Sequence, residues 1–206
     1  MNQADRLVAI SQDVKRRVLQ YYQLKKPVHV IHFGLPALQI GQLESPSRRE
    51  HINEDFTVVT VARLIKRKGV DTFLRSLSLL EASRLKAIII GDGPDLLKLQ
   101  ALTRELGLQG KVHFTGFVSE ERKHELLSLA DVFVLPSIHE GLGLVYIEAM
   151  RHGLPVIASN IGGQTDFLSD GCTGFLVAPG DAQALADKLH MLMKDAQLAR
   201  EMGEHN

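Results

Sequence analysis

Tryptophan is absent from the 206 residues, cysteine occurs once, aromatic residues make up only 5%, and 24 Lys and Arg balance 24 Asp and Glu. Each scarcity excludes something. A lone Cys172 cannot form an internal disulfide, and between Gly171 and Thr173 it reads as a turn residue rather than a nucleophile. Balanced charge gives no sequence-wide attraction to nucleic acid. No apolar run approaches the ~20 residues of a spanning helix. The start, M-N-Q-A-D-R, has no basic region followed by an apolar stretch, so no signal peptide is expected and a cytoplasmic setting is. The nine histidines are scattered, and His29 with His32 is not a zinc spacing backed by other ligands. There is neither a G-x-G-x-x-G opening the first βαβ unit nor a G-x-x-x-x-G-K-[ST] loop, so dinucleotide oxidoreductases and nucleoside triphosphatases have no anchor.

What is present is regular. Hydrophobic residues make up 45%, enough for one good core. From Phe56 onward apolar strands alternate with amphipathic helices: strands are predicted at Thr57–Ala62, Ala87–Ile90, Val112–Phe114, Val132–Leu135, Val156–Ala158 and Phe175–Val177. Val70, Phe73, Leu74, Leu77 and Leu80 fall at helical spacing on one face. The fold class that follows is α/β, a Rossmann-like, doubly wound, mostly parallel sheet. Ahead of it, residues 1–40 read as a strand (Leu7–Ile10), a helix with Ser11 as N-cap, and a strand (Val28–Phe33). Residues 41–55, polar with Pro and Ser, read as a linker or exposed loop.

The chain is organised around residues 131–153, D-V-F-V-L-P-S-I-H-E-G-L-G-L-V-Y-I-E-A-M-R-H-G. A buried strand feeds a Gly-interrupted turn and a helix that stops at Gly153 before Pro155. Loops at the carboxyl ends of parallel strands, facing a helix N-terminus, are where anions bind. Glu140 stands in that loop. Glu148 lies only about 7 Å along the axis from the helix start at ~1.5 Å per residue. Leu144, Val145, Ile147, Ala149 and Met150 make the helix apolar nearly all round, so it is expected to be buried. A glutamate there needs a partner, and sugar hydroxyls or a protein Arg would serve.

Other strand exits carry candidates. Arg63, Lys66, Arg67 and Lys68 precede Gly69 and a helix, which suits a diphosphate and also suits an ordinary solvated loop. I-I-I-G-D-G-P ends a strand with Gly91 and Gly93, and Pro94 is well placed as a first helical residue. H-F-T-G-F-V, ending at Val118, and S-N-I-G-G-Q-T-D-F add two more loops on the same edge.

Together these residues resemble glycosyltransferase family 4, the retaining nucleotide-sugar transferases of GT-B architecture (group 1). The markers are V-A-R-L-I-K-R-K-G, I-I-G-D-G-P, V-H-F-T-G-F-V, A-D-V-F-V-L-P-S, E-G-L-G-L-V-Y-I-E-A-M, G-L-P-V-I-A-S, G-G, D-G-x-T-G-F-L-V and P-G-D. Two glutamates separated by seven residues are the family's signature. The resemblance implies that Arg63 and Lys68 hold the donor diphosphate, that Glu148 accepts from the ribose hydroxyls, and that Glu140 lies at the transferred sugar. It further implies that the backbone of Gly143, Leu144 and Val145 grips the phosphates, with Gly91, Gly93 and Val118 near the base. Such enzymes are taken to need no metal and no cofactor beyond the UDP- or GDP-type sugar itself.

Departures shape the remaining expectations. In the family a first Rossmann-like domain binds the acceptor. Here residues 1–40 resemble only its last part and the crossing strand, with H-F-G-L-P in place of the usual Pro-Asn-Gly stretch. Residues 56–206 resemble the donor-binding domain, the C-terminal half of a GT-B fold, without the final crossover helix. A fragment weak or inactive alone is therefore expected, its acceptor domain being the absent partner and peripheral membrane association a property of the full enzyme. Leu142 stands where the family often has Phe. The alternative is a non-catalytic module that binds nucleotide sugar or associates with itself or a partner through uncovered apolar surface.

Overall fold

The computed structural model describes residues 4–35, 55–81 and 83–206. The expected linker, residues 41–55, lies outside the described residues except for Asp55.

Two strands near the start, β1 (Leu7–Ala9) and β2 (Val28–Val30), pair in parallel around helix α1 (Gln12–Tyr21). Ser11 is the N-cap, its hydroxyl accepting from Val14 N at 3.1 Å. β2 ends at Val30, short of the predicted Phe33. Its partner is only three residues long, so beyond Val30 the ladder keeps a single bond, Ile31 N to Ala9 O at 2.9 Å.

The main sheet holds six parallel strands: β3 (Phe56–Val61), β4 (Leu85–Ile90), β5 (Val112–Gly116), β6 (Val132–Leu135), β7 (Val156–Ser159) and β8 (Gly174–Val177). Every strand predicted from Phe56 onward is present, with Val132–Leu135 matched at both ends and no end shifted by more than two residues. The connecting helices are α2 (Val70–Ser78), α3 (Leu96–Glu105), α4 (Glu120–Ser128), α5 (Leu144–Arg151), α6 (Ala182–Lys194) and a terminal α7 (Ala196–Glu204). None among the described residues is long and apolar enough to cross a membrane.

Both sheet faces are covered at the centre, which is why β6 and β7 are buried at every position and read as apolar runs rather than alternating ones. Val58, Val132 and Val134 pack with Phe73, Leu99 and Leu189 of α2, α3 and α6. Their neighbours Val59, Phe133 and Leu135 pack with Leu127 and Tyr146 of α4 and α5.

Strand order β5-β4-β3-β6-β7-β8 puts β3 in the middle and the reversal of winding between β3 and β6. At that switch point the two exit loops diverge, and a crevice opens at the carboxyl ends. The loops nevertheless touch. Arg67 O accepts from Ile138 N at 2.8 Å. Gly69 is in the left-handed region (φ 67°), and a Cβ there would lie 2.2 Å from Pro136 O. Only glycine satisfies both conditions.

α4 and α5 meet through two imidazoles, His124 Nδ1 and His152 Nε2 being 2.9 Å apart. Burial, with His124, Arg151 and Lys123 nearby, pushes His152 from its ordinary 6.5 down to about 4. The folded chain therefore holds His152 neutral, and between pH 6.5 and about 4 the unfolded chain binds a proton that the fold refuses. Stability from this group is complete above pH 6.5 and is lost as pH falls through that window. Denaturant midpoints measured from pH 7 to 4 should fall less steeply for His152→Gln than for the unmodified chain, and parallel slopes would refute the assignment. For the switch-point contact, Gly69→Ala should destabilise more than Gly107→Ala. Gly107 is equally left-handed (φ 69°) but has nothing within 4 Å of a Cβ. Urea unfolding should show roughly 1 kcal/mol for Gly107→Ala and about 1–3 kcal/mol beyond that for Gly69→Ala.

Candidate active site

At the β3 exit the cations separate by environment. Arg63, Lys66 and Arg67 are exposed, whereas Lys68, on a 3-10 turn (Lys66–Lys68), is drawn inward. Its ammonium pairs with Glu140 Oε1 across the switch point, with side-chain exposures of 14% and 9%. Ser137 Oγ donates to the same oxygen at 2.9 Å. Glu140 is thus neither an ordinary loop carboxylate nor a free one: it is buried, charge-matched and oriented. Its backbone is fixed too, Glu140 O accepting from Gly163 N at 3.0 Å. A Cβ on Gly163 would stand 2.0 Å from Gly141 O, so the Gly-Gly turn after β7 packs directly on the Glu140 loop. Beside Glu140, His139 Nδ1 is buried with no hydrogen-bond partner among the described residues.

Gly143, left-handed at φ 83°, is the N-cap of α5. The first turn of the helix holds no acidic residue, and among the described residues no side chain caps it, so the amides at Leu144 and Val145 form an electropositive end. Tyr146 anchors that end from below. Its hydroxyl donates to Leu135 O at 2.8 Å, its ring meets Phe133 edge-on at 5.7 Å, and burial followed by the Glu140 charge pushes its phenol far up, so it stays neutral.

Of the expectations for α5, its end holds and its burial is corrected. The last helical residue is Arg151, and left-handed Gly153 just past it is the expected stop. The helix is not buried all round: only Tyr146 and Ala149 are buried, and Leu144 is 38% exposed. One face touches the sheet and α4, and the apolar residues on the others stay partly open. Glu148 does have a partner, a lysine rather than an arginine: Lys123 Nζ of α4, at 2.8 Å. The two glutamates of the signature therefore flank the start of α5, each tied to its own lysine on a different element.

The Gly-Asp-Gly turn is explained by backbone packing. Added Cβ atoms at Gly91 and Gly93 would lie 2.0 Å from Ala62 O and 2.4 Å from Leu64 O, and Leu64 N donates to Asp92 O at 2.8 Å. Both glycines are spent against the β3 exit loop, with no ligand needed to account for them. Val118 is half-buried, directly before Ser119, the N-cap of α4, whose hydroxyl accepts from Arg122 N at 3.2 Å. Among the described residues no group of three or more His, Cys, Asp and Glu side chains is placed to hold a metal ion. Sequence reasoning missed Ser137, Tyr146 and Lys123. The last left a signal: it precedes Leu126 and Leu127 by three and four positions, a cation on the apolar stripe of its helix.

Comparison with known proteins identifies the family and the fold. Alpha-D-kanosaminyltransferase of Streptomyces kanamyceticus is 31% identical over 175 residues, 81% of this chain and 45% of that protein. The GDP-mannose-dependent alpha-(1-6)-phosphatidylinositol monomannoside mannosyltransferase of Mycobacterium tuberculosis is 34% identical over 165 residues, 76% of this chain and 43% of that protein. The chain thus spans about half the length of the curated relatives it matches. Among solved structures, Anabaena HepE with UDP and glucose superposes with a TM-score of 0.85 at 25% identity, covering 98% of this chain and 57% of that one. Sucrose-phosphate synthase from Thermosynechococcus elongatus gives 0.84 at 26% identity, covering 99% and 53%. The fold is the Rossmann-like α/β sheet of GT-B glycosyltransferases. With the family description "Glycosyl transferases group 1" matching residues 42–206, the chain belongs to the group 1 glycosyltransferases.

Proposed function

We propose that residues 56–206 form the donor-binding domain of a retaining, family 4 glycosyltransferase. It takes a hexose-type sugar from a nucleoside diphosphate sugar to an acceptor hydroxyl without a metal ion. Residues 1–40 belong, on this reading, to the end of an acceptor-binding domain and its crossing strand, and the protein works in the cytoplasm. The observation that carries the proposal is a buried glutamate, Glu140, held by Lys68 and Ser137 beside the uncapped start of α5, at the switch point of the sheet.

In this arrangement the diphosphate sits on the amides of Gly143, Leu144 and Val145, with Arg63 and Lys68 supplying charge. Glu140 faces the transferred sugar, and Glu148 accepts from the ribose hydroxyls. Gly91, Gly93 and Val118 border the base through their backbone. As the bond from the anomeric carbon to the diphosphate breaks, the cations and the helix end stabilise the departing charge in place of a metal. The mycobacterial relative is named as GDP-mannose-dependent and the Anabaena structure holds UDP, which makes guanosine and uridine the first bases to try.

A second reading has its own observation. Val8, Ile31 and Phe33 around the small sheet are 56%, 59% and 58% exposed, as an association surface would be.

Calorimetric titration of the chain with UDP, GDP, ADP and their common sugars decides between them. Saturable binding of one nucleotide, weakened about tenfold or more by both Glu148→Ala and Lys68→Ala, is the expected result. A folded chain that binds none of them would overturn the donor-site proposal, and a stable dimer in that case would favour association.

A further inference from the structure

Lys123 is a charge in an unusual place. Its residue exposure is 8%, on the side of α4 that carries Leu126 and Leu127 into the core. Burying an ammonium costs free energy unless partners compensate, and here two carboxylates do. Nζ lies 2.6 Å from Glu120 Oε2, within its own helix, and 2.8 Å from Glu148 Oε2 on α5. Burial pulls the lysine toward neutrality, but the bonds to Glu120 and Glu148 outweigh it and leave its pKa raised.

The two carboxylates are not equivalent. The Glu120 side chain is 75% exposed, so solvent screens it and its loss would cost little. The Glu148 side chain is 20% exposed, and only Oε2 meets the lysine. Among the described residues no side chain or backbone group bonds its Oε1. α4 is itself well placed to act as a reference: it starts immediately after Val118, Ser119 caps it, and His124 ties it to His152 at the far end of α5.

We propose that Lys123 is a positioning residue for the nucleoside subsite, fixing Glu148 through one carboxylate oxygen so that the other is presented, charged and in one orientation, to the ribose hydroxyls. This rests on the reading of Glu148 as the ribose acceptor. It adds that ribose recognition depends on a residue that never touches the ligand. A glutamate on a single rotamer, with one oxygen engaged, loses less freedom on binding than a free one.

A merely structural lysine would affect every ligand alike, so the readout is discrimination between ribose and deoxyribose. Affinities of UDP and 2′-deoxy-UDP, and of GDP and 2′-deoxy-GDP, are measured for the unmodified chain and for Glu148→Ala, Lys123→Met, Lys123→Gln and Lys123→Arg, with circular dichroism as the check on folding. The unmodified chain should prefer the ribonucleotide by about tenfold or more, the usual effect of a hydrogen bond to a charged acceptor. Glu148→Ala should abolish that preference. Lys123→Met and Lys123→Gln should reduce it to within about threefold, leaving the deoxynucleotide affinity unchanged, and Lys123→Arg should restore most of it. If Lys123→Met does not fold, Lys123→Gln and Lys123→Arg carry the test.

Preference lost in Glu148→Ala but kept in folded Lys123 variants overturns the positioning role and leaves the donor site standing. Equal loss for both nucleotides in the Lys123 variants also overturns it. Preference kept in Glu148→Ala, or no binding of either pair, overturns the assignment of Glu148 and this inference with it.

Discussion

Everything at this site depends on two backbone segments that touch with no side chain between them. The loops leaving β3 and β6 must diverge to open a crevice, because the chain winds outward in opposite directions from these neighbouring strands. They must also stay close enough for a lysine on one to reach a glutamate on the other. Gly69 resolves the conflict by lying against the Pro136 carbonyl, and the Arg67–Ile138 hydrogen bond holds the contact. Lys68 and Glu140 then meet as a consequence of where their backbones already are. The same device recurs at the neighbouring exits: Gly91 and Gly93 lie against the β3 loop and Gly163 against the Glu140 loop. Glycine at these exits thus brings four loops into one contiguous rim.

The centre of the sheet was legible in the sequence because β6 and β7 are buried on both faces. Residues 132–135 are apolar without interruption, and a run that short between turn residues has few other uses. Boundaries were less legible where partners decide them. β2 ends at Val30 because β1 is short, a fact of pairing that Val28–Phe33 alone does not contain. The exposure of α5 was misjudged for a related reason. A helix of eight residues touches its neighbours with one face, and apolar residues elsewhere on it can remain open. Of the site, the residue types were readable and their pairings were not. That Glu148 meets Lys123 depends on how α4 lies across α5, and no local pattern specifies a contact between residues 25 positions apart in the chain.

Several of the motifs that carry the family resemblance turn out to build the scaffold. Asp131, before β6, accepts from Thr57 N at 2.7 Å and donates its own amide to Thr57 O, closing the lower end of the β3–β6 pair. Asp170 accepts from Leu176 N, Thr173 Oγ1 accepts from Ser169 N, and a Cβ on Gly174 would meet Val156 O at 1.9 Å. Asp181 caps α6 through Ala184 N at 2.8 Å. These residues hold β3 to β6 and β7 to β8 and cap α6, beneath the rim. A motif shared by a family is thus no sign that each of its residues meets a ligand.

The electrostatics follow from the pairing pattern. Glu140 and Glu148 each have a lysine from a separate element, so the innermost part of the site carries matched charges before any ligand arrives. Partly buried pairs of this kind add little net stability, yet losing one partner is costly because the other is left unpaired. Their value is orientation. A diphosphate approaching Lys68 would meet an ammonium already neutralised by Glu140, so net attraction must come from elsewhere. The exposed Arg63, Lys66 and Arg67, together with the uncapped start of α5, are the groups placed to supply it. On the proposed reading, long-range charge and short-range direction are therefore divided between different side chains. The exposed cations draw the donor in, and the two paired glutamates, held without reorganisation, decide how its sugar and ribose lie.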